Sequence, residues 1–330
     1  MTTSKKKLLL PDTMARTGWD LAKSRADVDA VPFSPTVPNP EFRRLLHDAD
    51  GVALTSTPLR AADIEAALQL RAVCRIGVGY DAVDVAALNA RGIPLMTCGT
   101  DNSPTVAEYA MYMMLALCKL STRMNSIPRQ GRWAQRYDEL YTELLGKTLL
   151  IIGFGRIGTR VAKRCLAMEM TVEVYDPYVP AEAIRAAGCK PVANLDAALP
   201  HADYVTIHCP KTPETAGMFD AARIARMKPS ARLINTARGG LVDEAALYAA
   251  LTAGKLAGAG VDVFSPEPPL TDNPLFTLQN VIVAPHMAGN SRESLNRGAL
   301  TVMRNLLSVL DGKPNREYVV NPESLRGYQG

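Results

Sequence analysis

Leu149-Leu150-Ile151-Ile152-Gly153-Phe154-Gly155-Arg156-Ile157-Gly158 opens the stretch on which the fold turns. Its four apolar residues read as a buried strand, the glycine-spaced hexad as a tight turn, and the helical pattern beyond as the helix that turn begins. A second strand, Val172-Glu173-Val174-Tyr175, ends on Asp176, 18 positions after Gly158. Each part suits a bound dinucleotide. Gly153 permits the turn, Gly155 has no side chain to hold a pyrophosphate off the backbone, and Gly158 lets helix and sheet pack closely. The helix N-terminus presents free N–H groups and a positive dipole end to the phosphates. Asp176 stands where a carboxylate accepts hydrogen bonds from both ribose hydroxyls. It would repel a 2′-phosphate, and Pro177-Tyr178-Val179 supplies no arginine to neutralise one, so NAD is the expected cofactor. The plainer alternative is that Asp176 only ends a strand and starts an Asp-Pro turn, which leaves the complete fingerprint around it without a purpose.

A chain of 330 residues is long for one domain and comfortable for two, and 47% apolar residues suffice for real cores. The formal charge of +4 is mild, and no basic cluster exists beyond Lys5-Lys6-Lys7, so no nucleic-acid partner is expected. That triplet reads as a flexible basic N-terminus. Leu8-Leu9-Leu10 is too short for a signal-peptide core, and no apolar run approaches the ~20 residues of a membrane span. A soluble, cytoplasmic protein is therefore expected. The six cysteines form no CxxC pair and the four histidines no HxxxH, so neither a disulfide framework nor a metal site is indicated.

Alternation of short apolar strands and helical segments runs through the whole chain. Residues 7–11, 51–55, 73–77 and 93–97 read as strands, with helices over 42–47, 61–70 and 83–90 between them. Ser103-Pro104 reads as the start of a long helix reaching about residue 120, followed by a polar, arginine-bearing segment at 129–136. Beyond Asp176, strands are expected at 204–209, 232–236, 258–263 and 281–284, and helices at 181–187, 221–227 and 243–253. A helix from Ser291 to Leu310 and a short extended tail at 317–320 close the chain. The implied architecture is α/β, with two Rossmann-like domains built on doubly wound parallel sheets and a cleft between them. The outer domain is expected to be discontinuous, 1–101 plus 292–330, with a cofactor domain of 102–291 inserted into it.

Three charged residues follow the later strands, where an open α/β sheet places its ligands. Arg238 follows Leu233-Ile234-Asn235-Thr236-Ala237, Glu267 lies in Ser265-Pro266-Glu267-Pro268-Pro269, and His286 follows Val281-Ile282-Val283-Ala284-Pro285. Alone, each has a duller reading as a loop charge, a turn residue or a helix-entry histidine. With these residues the chain resembles the D-isomer-specific 2-hydroxyacid dehydrogenases, a family that includes phosphoglycerate, hydroxypyruvate, glyoxylate and D-lactate-type enzymes. The resemblance rests on Gly77-Val78-Gly79-Tyr80-Asp81 with Val83-Asp84 and on Arg91-Gly92-Ile93 in the outer part, and on Val106-Ala107-Glu108 in the long helix. In the cofactor part it rests on the glycine hexad, Asp176, Pro210, Glu214-Thr215, Ala237-Arg238-Gly239, Asp262-Val263-Phe264, Glu267-Pro268 and Pro285-His286.

The resemblance implies an NAD-dependent oxidoreductase interconverting a D-2-hydroxy acid and its 2-oxo acid, with Arg238, Glu267 and His286 as the catalytic trio. The chemistry fits those residue types. An imidazolium at His286 gives the proton that the developing alkoxide needs, Glu267 orients the ring, and Arg238 forks onto the carboxylate and carbonyl oxygens. Val78 and Gly79 are implied to grip the carboxylate through backbone N–H groups. Cofactor contacts are implied for Gly153, Gly155, Arg156, Ile157 and Gly158 at the pyrophosphate and for Asp176 at the ribose. Cys209, Pro210 and Thr215 are implied on the adenine side, and Thr236, Ala237, Asp262, His286, Gly289 and Thr105 around the nicotinamide, with Asp262 on its carboxamide. His208 reads as structural or as a neighbour of the cofactor. Arg129, Arg132 and Arg136 read equally as solvated loop charges or as attractors of an anionic substrate. A homodimer is implied by analogy, and an NAD(H)-sensing corepressor-like binding module of the same family is the alternative function. Glu267 stands where formate dehydrogenases of this fold carry glutamine, which disfavours that activity. The chain ends soon after its closing helix, so a serine-binding regulatory domain is not expected.

Overall fold

The structure, a computed structural model, describes residues 5–328. The chain forms two compact units, Met1–Asn102 with Asn290–Gly330, and Ser103–Gly289.

In the first unit the elements alternate: β1 (Lys6–Pro11), α1 (Arg16–Lys23), β2 (Val28–Phe33), α2 (Asn39–Leu46), β3 (Gly51–Leu54), α3 (Ala61–Ala66), β4 (Ala72–Arg75), α4 (Val85–Ala90) and β5 (Leu95–Thr97). All strand pairs are parallel, in the order β2-β1-β3-β4-β5. Successive residues of β1 point to opposite faces, so each of its leucines has a separate layer to fill. Leu8 and Leu10 pack with Met303 and Leu306 of the closing helix, Arg292–Leu310, while Leu9 packs with Phe42 and Leu46 of α2. Burial on both faces is why these strands read as unbroken apolar runs.

Three expectations for this unit need correction. Residues 12–33 carry no expected element, yet they form α1 and β2. β2 lies at the sheet edge, where Pro32 costs no ladder bond, and its sequence does not alternate cleanly. The lysine triplet is no flexible terminus. Lys6 and Lys7 are part of β1, with Lys6 Nζ 3.4 Å from Asp27 and Lys7 Nζ bonded to Asp48. The tail over 317–320 is extended only from Val319, which makes a single antiparallel bridge to Met96; Arg316–Tyr318 form a 3-10 turn before it.

Asn321, just beyond that bridge and 1% exposed, serves the open edge of β5 with its side chain. Its Oδ1 accepts from Leu95 N at 2.7 Å, and its Nδ2 donates to the Ile93 carbonyl at 3.0 Å and to Asn89 Oδ1 at 2.8 Å. One amide thus satisfies groups that the missing neighbour strand leaves open.

The second unit begins with α5 (Ser103–Cys118) and α6 (Ser121–Arg129). It continues through β6 (Thr148–Ile152), α7 (Gly158–Ala167), β7 (Thr171–Tyr175), α8 (Ala181–Ala186), β8 (Lys190–Pro191), α9 (Leu195–Ala198), β9 (Tyr204–Ile207), α10 (Ala221–Ile224), β10 (Arg232–Asn235), α11 (Glu244–Thr252), β11 (Gly258–Val261) and β12 (Val281–Val283). Its seven-stranded sheet is parallel throughout, in the order β12-β11-β10-β9-β6-β7-β8, so the winding reverses between β6 and β9. The long helix expected to reach residue 120 stops at Cys118. Leu120 takes a left-handed conformation, φ 48°, and α6 starts a new direction. The arginine-bearing segment is therefore part helix, part 3-10 turn (Trp133–Tyr137). Leu149 and Ile151 face α5 and α7, and Leu150 and Ile152 face α9 to α11, the same division of one strand between two layers. Among the described residues no helix is long and apolar enough to cross a membrane.

Asn321→Ala is expected to destabilise the protein by about 1–3 kcal/mol, because it strands a buried N–H and a carbonyl at the β5 edge. Urea unfolding checks this; a midpoint equal to that of the parent would show that the edge is satisfied in another way.

Candidate active site

Six strands of the second sheet end on one line. The paired residues Tyr175, Ile152, Ile207, Asn235, Val261 and Val283 are the last of their strands and lie side by side in register. Every turn of chemical interest in this unit leaves from that line. The glycine hexad follows Ile152, Asp176 follows Tyr175, Arg238 comes three residues after Asn235, and His286 three after Val283.

Packing explains two glycines of the hexad. Gly153 has φ +90°, and a Cβ there would lie 2.8 Å from Cys209 N. A Cβ on Gly158 would lie 2.0 Å from the Gly153 carbonyl oxygen, so the first turn of α7 can seat only a glycine. Gly155 differs: a Cβ there would meet no protein atom within 4 Å, so close packing within the chain does not account for it. Arg156 is exposed and Ile157 packs in part against the core on the α5 and α7 side. Asp176 spans the turn, its Oδ2 accepting from Phe154 N at 2.7 Å and its Oδ1 from Tyr178 N at 2.9 Å. Each carboxylate oxygen accepts more than one hydrogen bond, so capacity remains for hydroxyl donors.

The turns of the three charged residues are held by polar side chains from the strand ends. Asn235, 4% exposed, accepts from Ala237 N through Oδ1 at 3.0 Å and donates through Nδ2 to the Arg238 carbonyl at 2.9 Å. Asp262, 1% exposed, accepts from Met287 N at 2.8 Å and Ala288 N at 3.0 Å, while its carbonyl accepts from His286 N at 2.7 Å. Burial pushes the Asp262 carboxyl up, against those two backbone donors. His286 itself has φ 55°, the left-handed region that few non-glycine residues adopt, and Asp262 holds it there from both sides. Glu267 accepts from Phe264 N through Oε1 at 3.1 Å and meets His286 Nδ1 through Oε2 at 2.9 Å. Both side chains of that pair remain accessible, 48% for His286 and 36% for Glu267. The Arg238 turn meets the Phe264 turn backbone to backbone, since a Cβ on Gly239 would fall 1.7 Å from the Phe264 carbonyl oxygen.

The remaining candidates fall around this line. Thr236 is 7% exposed, and its Oγ1 is buried without a protein partner. Such an atom on the strand-end line fits a polar ligand group. Ala237 is half-buried, Gly289 ends the His286 turn, and Thr105 lies in the first turn of α5. Thr215 Oγ1 donates to the Pro210 carbonyl at 2.8 Å and accepts from Thr212 N at 2.7 Å, so it shapes the loop after β9. Burial pushes the Cys209 thiol in that loop up to about 11, which keeps it protonated. Val78 and Gly79 belong to the first unit, in the turn past β4, where Gly77 has φ +144°. His208 shares its Nε2 with Thr206 Oγ1 at 3.0 Å, while its Nδ1 is buried without a protein partner. Burial pushes this imidazole down to about 3, so it is neutral near pH 7. A depressed histidine favours unfolding as the pH drops from its ordinary value toward 3, because the unfolded chain then binds the extra proton. Asn235 was absent from the expected site residues. Its place at the end of a strand, just before the arginine turn, is the signal that could have found it.

Residues 111–288 match the model of the D-isomer specific 2-hydroxyacid dehydrogenase, NAD binding domain. The chain is 39% identical over 271 residues to a D-3-phosphoglycerate dehydrogenase of Archaeoglobus fulgidus, an alignment covering 82% of this chain and 51% of that protein. It spans about half the length of the curated relatives it matches. Among solved structures, a protein of Thermus thermophilus superposes with a TM-score of 0.86 at 32% identity, covering 95% of this chain and 99% of the other. A D-lactate dehydrogenase of Aquifex aeolicus, complexed with NAD and lactic acid, gives a TM-score of 0.81 at 29% identity over 97% and 98% of the two chains. With the NAD-binding domain model spanning more than half of its length, the chain belongs to the D-isomer specific 2-hydroxyacid dehydrogenase family.

Proposed function

We propose that this chain is an NAD-dependent oxidoreductase that interconverts a D-2-hydroxy acid and its 2-oxo acid, with His286 as the acid and base. The observation that carries this reading is the 2.9 Å contact between His286 Nδ1 and Glu267 Oε2, on a turn that Asp262 holds in a left-handed conformation. An accessible imidazole with one nitrogen tied to a carboxylate has a fixed orientation and leaves Nε2 as the proton-transferring atom.

The residues around the strand-end line fit a dinucleotide. Gly155 has a bare backbone facing no protein atom, Asp176 has spare acceptor capacity, and Thr236 has an unpartnered buried hydroxyl. In this reading Gly153, Gly155, Arg156, Ile157 and Gly158 hold the pyrophosphate and Asp176 the adenosine ribose. Cys209, Pro210 and Thr215 border the adenine, and Thr236, Ala237, Gly289 and Thr105 border the nicotinamide. Asp262 was expected to bind the carboxamide; its carboxylate already accepts two backbone N–H groups, so any such contact uses a remaining lone pair. When bound, NADH supplies the hydride. Arg238 holds the carboxylate and draws charge from the carbonyl of the oxo acid. Val78 and Gly79 of the first unit are the residues whose backbone N–H groups the family resemblance assigns to a substrate carboxylate. His286, protonated, donates from Nε2 to the new hydroxyl oxygen, and Glu267 steadies the imidazolium. In the reverse direction neutral His286 takes that proton.

The partner in this reading is a small anionic 2-oxo or 2-hydroxy acid. D-3-phosphoglycerate, suggested by the relatives' names, and D-lactate, suggested by the Aquifex enzyme, are the first candidates. A cytoplasmic homodimer completes the proposal. Trp133, Tyr137, Leu140 and Tyr141, between 56% and 74% exposed, supply apolar surface that a second copy would cover.

Two measurements test the reading. NADH oxidation with a panel of 2-oxo acids should give turnover with at least one, and His286→Ala should lower kcat roughly 10²–10⁴-fold with a smaller change in KM. Turnover that survives the substitution removes His286 from the mechanism. Turnover with no acid, alongside tight NADH binding, favours the sensing module. The parent should also use NADH in strong preference to NADPH, and Asp176→Asn should improve kcat/KM for NADPH by about tenfold, equivalent to about 1.4 kcal/mol of relieved repulsion. Equal use of both cofactors by the parent would end the argument from Asp176.

A further inference from the structure

Glu244 belongs to none of the groups assigned above, yet it touches two of the segments they depend on. It is the first residue of α11, whose start is fixed by Asp243: the Asp243 Oδ1 accepts from Ala245 N at 2.9 Å and Ala246 N at 3.0 Å. Its chain position follows directly from the arginine turn, through Arg238-Gly239-Gly240-Leu241-Val242-Asp243. The Glu244 carboxylate reaches across to the next turn. Its Oε1 accepts from Ser265 N at 2.8 Å, two residues before Glu267, and its Oε2 accepts from Asn273 Nδ2 at 2.9 Å. Asn273 in turn caps the 3-10 helix Pro274–Thr277, its Oδ1 accepting from Leu275 N at 3.0 Å. The loop that carries Glu267 is thus gripped at both ends by one carboxylate.

We propose that Glu244 is a positioning residue for the Glu267–His286 pair, tying the Glu267 loop to the helix that follows the Arg238 turn; this rests on the catalytic reading above. Three other contacts leave the loop dependent on that grip: the first, the Phe264 carbonyl against Gly239, seats only the residue that precedes it. Glu267 bonds Phe264 N within the same turn, which shapes the turn but does not fix it to the sheet. Phe264 is buried and stacks edge-on against Phe276 at 5.6 Å, which joins the loop's two ends to each other. The Glu244 bonds, by contrast, are directional and come from outside the loop, and hydrogen bonds to an ionised group are the stronger kind. If they are lost, Glu267 keeps its place in the fold but samples positions from which Oε2 no longer meets His286 Nδ1. The cost falls on proton transfer, not on substrate affinity.

Glu244→Ala and Glu244→Gln separate this role from a merely structural one. Glutamine keeps an acceptor for Ser265 N and gives up the one facing Asn273. Two readouts are taken on each full-length variant: hydrogen exchange of the 262–270 segment, and kcat and KM for NADH with pyruvate, hydroxypyruvate and glyoxylate as probes. The alanine variant should exchange faster in that segment and lose roughly tenfold or more in kcat, with KM within about threefold. The glutamine variant should lie within about threefold of the parent in kcat. Unchanged exchange in the alanine variant overturns the positioning role whatever the kinetics. Faster exchange with an unchanged kcat overturns its link to catalysis. A parent with no turnover on any oxo acid overturns the catalytic reading itself, and the exchange arm then still decides whether Glu244 holds the loop. A general fall in protection across the second unit, which glutamine does not restore, assigns Glu244 to stability and overturns the proposal.

Discussion

The carboxylate of Asp262 is the constraint on which the candidate site hangs. It sits at the end of β11, almost wholly removed from water, and receives two backbone N–H groups from the residues after His286. A buried carboxylate without donors is expensive, and a histidine with φ 55° is strained. The two costs offset each other here. The left-handed turn aims its amides at the carboxylate, and the carboxylate keeps the turn left-handed. Without that arrangement the imidazole of His286 would have no reason to lie against Glu267.

The same logic recurs at the neighbouring strand ends with different chemistry. At β10 an amide, Asn235, holds an N–H and a carbonyl of the arginine turn. At β7 a carboxylate, Asp176, holds the glycine hexad of β6. In each case a side chain at or just past the last pleat stabilises a loop that has no ladder of its own. The loops are therefore as well placed as the strands, which a site made of loops requires.

Most of the cofactor unit was legible because its signals are local. The glycine hexad, the apolar runs of β6 and β9, and the carboxylate at 176 each announce a conformation from neighbouring residues alone. The positions of Arg238 and His286 just past strand ends were legible from the apolar runs before them. What stayed hidden depends on contacts distant in sequence. β2 could not be read because an edge strand with Pro32 lacks the apolar run of its central neighbours. The extended reading of the tail holds only from Val319 on, and part of the β5 edge is met by a side-chain amide that has no sequence signature. Lys6 and Lys7 read as a flexible basic N-terminus because their acidic partners, Asp27, Asp48 and Asp311, are 20 or more positions away. The polar supports, Asn235 and Glu244, resemble ordinary strand-end and helix-start residues until the turns they hold are known.

The contact of Gly239 with the Phe264 carbonyl sets where the strand-end loops can change. Main chain rests on main chain there, with no side chain between whose size could be altered by mutation. The spacing of the arginine and glutamate turns is accordingly closed to gradual adjustment. Variation among descendants of this chain is therefore left to segments outside this backbone contact.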